Sequence, residues 1–170
     1  AKYGLHPYEE PCISCKNGSG TVFFSGCALK CVFCQNREIS HGNAGREITE
    51  KRLAEIFAEL EERGAENINL LRAFKIYRPK IPVVWNTHSY EKTEALKALD
   101  PYIDVYLPDL KYFSPKISAR YTGREDYFAV ASRAVSFMME RKCDVKDGKM
   151  YAGCIVRHLV LPLCANDSVE

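Results

Sequence analysis

No apolar run in this chain of 170 residues approaches the length of a membrane span. An excess of charge of one sign is missing too. Lys and Arg number 24 against 22 Asp and Glu, a formal net charge of +2. Polyanion binding needs a concentrated basic face, so nucleic acid is not an expected partner. The first residues, Ala1-Lys2-Tyr3-Gly4-Leu5-His6, lack the apolar centre of a signal peptide. Internal repeats, low-complexity tracts and linkers are also missing. The expectation is a soluble cytoplasmic protein with no membrane partner. It reads as a single domain over 1–170, long enough to bury a sizeable core.

Cysteine, by contrast, is abundant. Eight occur, at 12, 15, 27, 31, 34, 143, 154 and 164. Without a secretory signal, the dense group at the start reads as metal or redox chemistry rather than as disulfide staples. Cys27, Cys31 and Cys34 spell C-x3-C-x2-C directly after a predicted strand. Three thiolates this close can wrap three corners of a cubane iron–sulfur cluster. The fourth iron then has no protein ligand and is open to a small molecule. A zinc ribbon competes, because Cys12-x2-Cys15 and Cys31-x2-Cys34 are two knuckles at a spacing that suits tetrahedral four-thiolate zinc. That reading leaves Cys27 unused and puts Val22-Phe23-Phe24 between the knuckles. A third reading makes Cys12 and Cys15 plain buried thiols. Cys143, Cys154 and Cys164 are too dispersed for a second cluster and read as buried thiols.

Strand and helix patterns alternate along the chain. A β-rich run at 21–25 ends at Gly26 and the cysteines. Thr49 reads as an N-cap, with Glu50 in the first turn, and Leu53, Ile56, Phe57 and Leu60 form one apolar stripe that Gly64 stops. Further strands are expected at 68–71, 83–85, 103–107 and 154–161. A helix over about 91–99 turns Leu96 and Leu99 inward, and a later one carries Val130, Ala134, Phe137 and Met138. Such alternation predicts βαβ units and a parallel sheet covered on both faces. Only eleven residues, 71–81, link two of these strands, the lower limit for such a crossover. The expectation is a segment absent near 71–72.

The stretch from Gly18-Ser19-Gly20 through Cys34-Gln35-Asn36-Arg37 resembles the radical S-adenosylmethionine (SAM) superfamily. Within it, the chain resembles pyruvate formate-lyase activating enzyme and its uncharacterised homologues. The likeness continues through Trp85-Asn86-Thr87-His88-Ser89-Tyr90, Pro108-Asp109-Leu110-Lys111-Tyr112 and Val156-Arg157-His158-Leu159-Val160-Leu161-Pro162. It implies an α/β fold, a partial parallel (β/α) barrel with its site at the C-terminal strand ends. An N-terminal extension would span about 1–20 and a cluster loop 26–37.

The resemblance also implies roles. Cys27, Cys31 and Cys34 would hold a [4Fe-4S] cluster whose open iron is chelated by SAM. The cofactors carry the chemistry of such an oxidoreductase: reductive cleavage of SAM to a 5′-deoxyadenosyl radical that takes a substrate hydrogen. Phe33 would lie beside the adenine, and Asp109 and Lys111 match a D-x-K element that contacts SAM. Asn69, Thr87, Ser89 and Arg157 would add polar contacts at strand ends. Asn36 and His41 would be donors around the cluster, with His158 turned into the helical layer. The implied partners are a glycyl-radical enzyme and a flavodoxin- or ferredoxin-like electron donor, in an anaerobic setting. A small molecule or another protein is the alternative substrate, and an electron-transfer iron–sulfur protein or zinc ribbon is the alternative class. Two departures stand out. The Gly-Gly-Glu expected after Ile68-Asn69-Leu70 is absent, and the chain ends eight residues after Pro162, before a sixth barrel strand.

Overall fold

A computed structural model describes residues 2–42, 45–69, 77–162 and 164–169. In chain order it has β1 (Lys2–His6), β2 (Ser19–Phe23), α1 (Arg37–Ser40), α2 (Glu50–Glu62), β3 (Ile68–Asn69) and β4 (Val83–Thr87). There follow α3 (Thr93–Leu99), β5 (Val105–Leu110), α4 (Pro115–Thr122), α5 (Tyr127–Met139), β6 (Asp144–Lys146), β7 (Lys149–Cys154), β8 (Arg157–His158) and α6 (Ala165–Val169). The sheet runs β1-β2-β3-β4-β5-β7-β6, with β8 also on β5. From β2 to β7 all pairings are parallel, and the outer strands β1 and β6 run antiparallel to their neighbours. The result is a mixed α/β fold with a mostly parallel sheet that does not close.

Strand residues alternate between two cores, as a pleated sheet requires. Val83 and Tyr106 face α2, α3 and α5, where Phe57, Leu60, Leu96 and Met138 are buried. Val84, Val105 and Leu107 face the other way, onto Ile13 and Met150. The short segment around Ile13 therefore covers the face that no long helix covers.

Helix α2 forms as its sequence dictates. Thr49 Oγ1 accepts from Arg52 N at 3.1 Å, and Leu53, Ile56, Phe57 and Leu60 are all buried. Other expectations shift. The strand expected at 21–25 sits at 19–23 and pairs with β1, an element not anticipated. The strand expected at 154–161 is instead β7 followed by the short β8. β7 is launched from β6 by a tight turn at Asp147 (φ 52°) and Gly148 (φ 76°), the left-handed pair that a two-residue hairpin demands. Helix α4 was not anticipated either, since its buried residues, Ser118 and Thr122, are polar and leave no apolar stripe. The expected residues 70–71 and the segment thought absent near 71–72 lie outside the described residues. No helix among the described residues is long and apolar enough to cross a membrane.

Phe57 is completely buried at the centre of the larger core. Phe57→Ala should cost about 3–5 kcal/mol in urea denaturation, against about 1 kcal/mol for the cap variant Thr49→Ala. Equal losses would mean that α2 is not packed on the sheet in this way.

Candidate functional site

The cysteines lie on the loop that leaves the C-terminal end of β2. Gly26 (φ 84°) turns the chain out of the strand in a conformation that L side chains avoid. The loop is then pinned to the end of α4. Lys30 N donates to Thr122 O at 3.2 Å and Val32 N to Tyr121 O at 3.0 Å. Cys34 N closes a turn onto Cys31 O at 3.2 Å, and the Cys34 thiol lies 3.5 Å from Ser40 Oγ. Cys27, Cys31 and Phe33 pack against Leu29, Tyr112, Tyr127 and Ala131.

Cys27, Cys31 and Cys34 are free and half-buried. Burial pushes the Cys31 thiol up, the nearby Lys111 ammonium opposes this, and the neighbouring Cys27 and Cys34 add to the rise. Cys31 thus sits within electrostatic reach of both other cysteines and of one cation. Among the described residues no three His, Cys, Asp or Glu side chains converge as a single-ion site requires. A zinc ribbon needs four thiolates on one ion, whereas a cubane puts each thiolate on its own iron, so three thiols are the donor set of a cubane with one open iron. Cys12 and Cys15 are engaged elsewhere. Cys12 O accepts from Met150 N at 2.7 Å, and the exposed Cys15 turns its thiol to Pro11 O at 3.2 Å.

Beside the loop, the ends of β2, β3, β4 and β5 surround an open cleft of about 420 Å³. Cys27, Asn36, Asn69, Thr87 and Asp109 all line it, so half of the expected SAM contacts share one cavity wall with a cysteine. Lys111 and Arg157 act one step back, both on Asp109. Lys111 Nζ lies 2.5 Å from Asp109 Oδ2, and Arg157 Nε lies 2.8 Å from Oδ1. Arg157 also donates to Asn86 Oδ1 at 2.6 Å and pairs with Glu10 at 3.4 Å.

Phe33 and Ser89 are not among the cleft-lining residues. Phe33 lies beside the stacked rings of Tyr112 and Tyr121, with centroids at 6.4 and 6.0 Å. Ser89 is fully buried at φ 65°, its hydroxyl without a partner among the described residues. His41 Nε2 is likewise buried and unpartnered. His158 is exposed rather than turned into the helices, with Nδ1 at 2.5 Å from Leu110 O. Of the dispersed cysteines, Cys154 and Cys164 are half-buried but Cys143 is exposed, because the chain there turns at the surface into β6.

Two titratable residues on the cleft wall escaped the sequence reading. His88 accepts from Tyr90 N at Nδ1 (3.1 Å), and burial, then Lys111, holds its pKa below the ordinary range. Glu91 accepts from Trp85 Nε1 at 3.1 Å and from Thr87 Oγ1, and burial raises its carboxyl against both bonds. Trp85-x5-Glu91 was visible as a signal, since a tryptophan N–H needs an acceptor when buried.

Comparison with known proteins gives two findings. Residues 16–72 match the family described as a 4Fe-4S single cluster domain. That span contains the cysteine triplet and supports an iron–sulfur cluster as the cofactor. An uncharacterized protein of Methanocaldococcus jannaschii is 30% identical over 163 residues, taking in 85% of this chain. The chain spans 45% of that relative's length.

At the far side of the wall, Asn69 Nδ2 donates to Glu9 Oε1 at 3.2 Å. Burial and the adjacent Glu10, only partly offset by Arg157, push the Glu9 carboxyl up to about 7. Folding therefore takes up a proton between pH 4.5 and about 7. The stability this contributes is full at the acid end and is lost as pH rises through that window. Glu9→Gln should flatten the dependence of the denaturation midpoint between pH 5 and 7. An unchanged slope would show that Glu9 does not hold its proton.

Proposed function

We propose that this chain performs radical SAM chemistry. The observation that carries the reading is the meeting of the cysteine loop with Asn69, Thr87 and Asp109 around one cleft at the C-terminal strand ends. The 4Fe-4S domain match over the same loop supports it. When bound, a [4Fe-4S] cluster on Cys27, Cys31 and Cys34 supplies the electron that cleaves SAM to methionine and a 5′-deoxyadenosyl radical.

The protein's own residues bind, orient and exclude water. Asp109 is aimed by two cations, Lys111 on one oxygen and Arg157 on the other, and its carboxylate borders the cleft as an acceptor for ribose hydroxyls or an ammonium. Asn69, Thr87 and Asn36 add neutral polar contacts. The charge of Lys111 also favours the ionised form of Cys31, against the effect of burial. Phe33 supports the loop from behind through Tyr112 and Tyr121, and Ser89 shapes the end of β4.

Within this reading the enzyme is an oxidoreductase of the activating type. Its hydrogen donor is a glycyl-radical enzyme, and a flavodoxin- or ferredoxin-like protein supplies the electron. An open iron is sensitive to oxygen, so the setting is cytoplasmic and anaerobic.

The test is anaerobic reconstitution with iron and sulfide, reduction, addition of SAM and assay of 5′-deoxyadenosine. Wild-type protein should form it, Cys31→Ala should form none, and Cys12→Ser should retain most of the activity. A loaded cluster that leaves SAM intact would point to an electron carrier. Zinc bound in a form that Cys12→Ser abolishes would overturn the iron–sulfur reading.

A further inference from the structure

The turn that leaves β4 fixes one histidine on the cleft wall. His88 lines the cleft and is held both by its backbone and by its ring. The Tyr127 hydroxyl meets His88 O at 3.1 Å and Asp109 O at 2.9 Å, which ties the ends of β4 and β5 together. The ring Nδ1 lies 3.1 Å from Tyr90 N and accepts its hydrogen. Between these two ties Ser89 is completely buried at φ 65°, its N–H donating to Thr87 Oγ1 at 3.0 Å. A residue with a side chain stays in the left-handed region only where its surroundings over-determine it.

The Tyr90 bond decides where the ring hydrogen sits. A backbone N–H can only donate, so Nδ1 carries a bare lone pair and the neutral ring keeps its hydrogen on Nε2. Burial, with the Lys111 charge after it, favours that neutral ring. Nε2 then has no lone pair with which to bind a metal or take up a proton. It is a donor. Polar groups next to it are of the opposite kind. Thr87 gives its hydroxyl hydrogen to Glu91 and accepts from Ser89, so only a lone pair is left for a ligand. Glu91 and Asp109 bring carboxyl oxygens to the same wall.

We propose that His88 is a ligand-binding residue, its Nε2–H donating a hydrogen bond to an acceptor atom of SAM in the cleft. This role rests on the SAM reading above. A cleft histidine ordinarily invites the role of base or metal ligand, and the Tyr90 bond assigns it neither.

Two substitutions take the ring nitrogens apart. In His88→Asn the amide oxygen can stand in for Nδ1 and accept from Tyr90, but nothing reaches the place of Nε2. In His88→Gln the amide nitrogen can reach that place, and the tie to Tyr90 is lost. Each variant is reconstituted anaerobically to the iron and sulfide content of wild type, and SAM binding is measured by equilibrium dialysis without reductant. His88→Asn should bind SAM about three- to tenfold more weakly, the worth of one neutral hydrogen bond, and His88→Gln should stay within about twofold of wild type. Stability should rank the other way, with the urea midpoint of His88→Gln below that of His88→Asn. Independently, nitrogen-15 NMR of the full wild-type chain without iron should find the His88 hydrogen on Nε2 at neutral pH. A hydrogen found on Nδ1, or a His88→Asn variant that binds SAM as tightly as wild type, would overturn the role of His88 and leave the SAM reading standing. A His88→Gln variant that binds no better than His88→Asn, or a His88→Asn variant that cannot take up the cluster, would reduce the histidine to a brace for the turn and overturn it too. Loaded wild-type protein that binds no SAM would remove the reading and this role together.

Discussion

Two backbone hydrogen bonds, from Lys30 and Val32 to the last carbonyls of α4, govern where the three thiols stand. A loop between closely spaced cysteines has no regular structure to satisfy its N–H groups, and a helix end has carbonyls without intrahelical partners. Each supplies what the other lacks. The helix is fixed at its other end from outside its own sequence. Asp167 accepts from Phe113 N at 3.0 Å and from Ser114 N at 2.6 Å, which fixes the chain just where it enters the helix. A shift of α4 would therefore be felt directly as a change in thiol spacing, with Tyr121 carrying the same motion to the Phe33 ring.

Charge at the end of β5 is paired, acid against cation. Asp109 lies between Lys111 and Arg157, and Arg157 spreads its fork over Asp109, Asn86 and Glu10. This joins β8, β5, β4 and the N-terminal segment at a single guanidinium, a geometry that Lys could not reproduce. Such a network is a weak source of stability, because desolvation consumes much of the Coulomb gain. Its value lies in orientation, holding a carboxylate at the cleft edge while one ammonium stays within reach of Cys31.

How far the residues themselves disclosed this depends on the kind of signal. Helix α2 was legible because its stripe, cap and stop agree, and β4 and β5 because runs of buried types left no other reading. Helix α4 was not, since Ser118 and Thr122 bury hydroxyls where an apolar periodicity was sought. Only Ser114-Pro115, a cap followed by a first-turn proline, marked its start. The Asp147-Gly148 turn was a plain hairpin signal, and missing it displaced the following strand by several residues. In the site, the cysteine spacing and the Asp109–Lys111 pairing were readable, since residues two apart on a strand share a face. His88 was not, because its importance comes from burial beside Lys111, which no local pattern encodes, and Glu91 was marked only by the nearby tryptophan N–H that needs an acceptor.

The N-terminal segment is the remaining piece. An open parallel sheet with its long helices on one side leaves an apolar face to be covered. Here Ile13, 2% exposed against Val84, Val105, Leu107 and Met150, covers it. Its backbone is tied down by polar contacts rather than by regular pairing. Asn67 Nδ2 donates to Ile13 O at 2.9 Å, and Cys15, Lys16 and Asn17 donate their N–H groups to Glu66. Burial raises the Glu66 carboxyl, but those three bonds together with Lys149 outweigh it and hold the group below its usual range. The same bonds explain why Cys12 and Cys15 stand apart from the other three cysteines. Their backbone is committed to β7 and to Glu66, so drawing both thiols onto a metal shared with Cys31 and Cys34 would uncover Ile13. On that geometry the segment holding Cys12 and Cys15 belongs to the covering of the sheet.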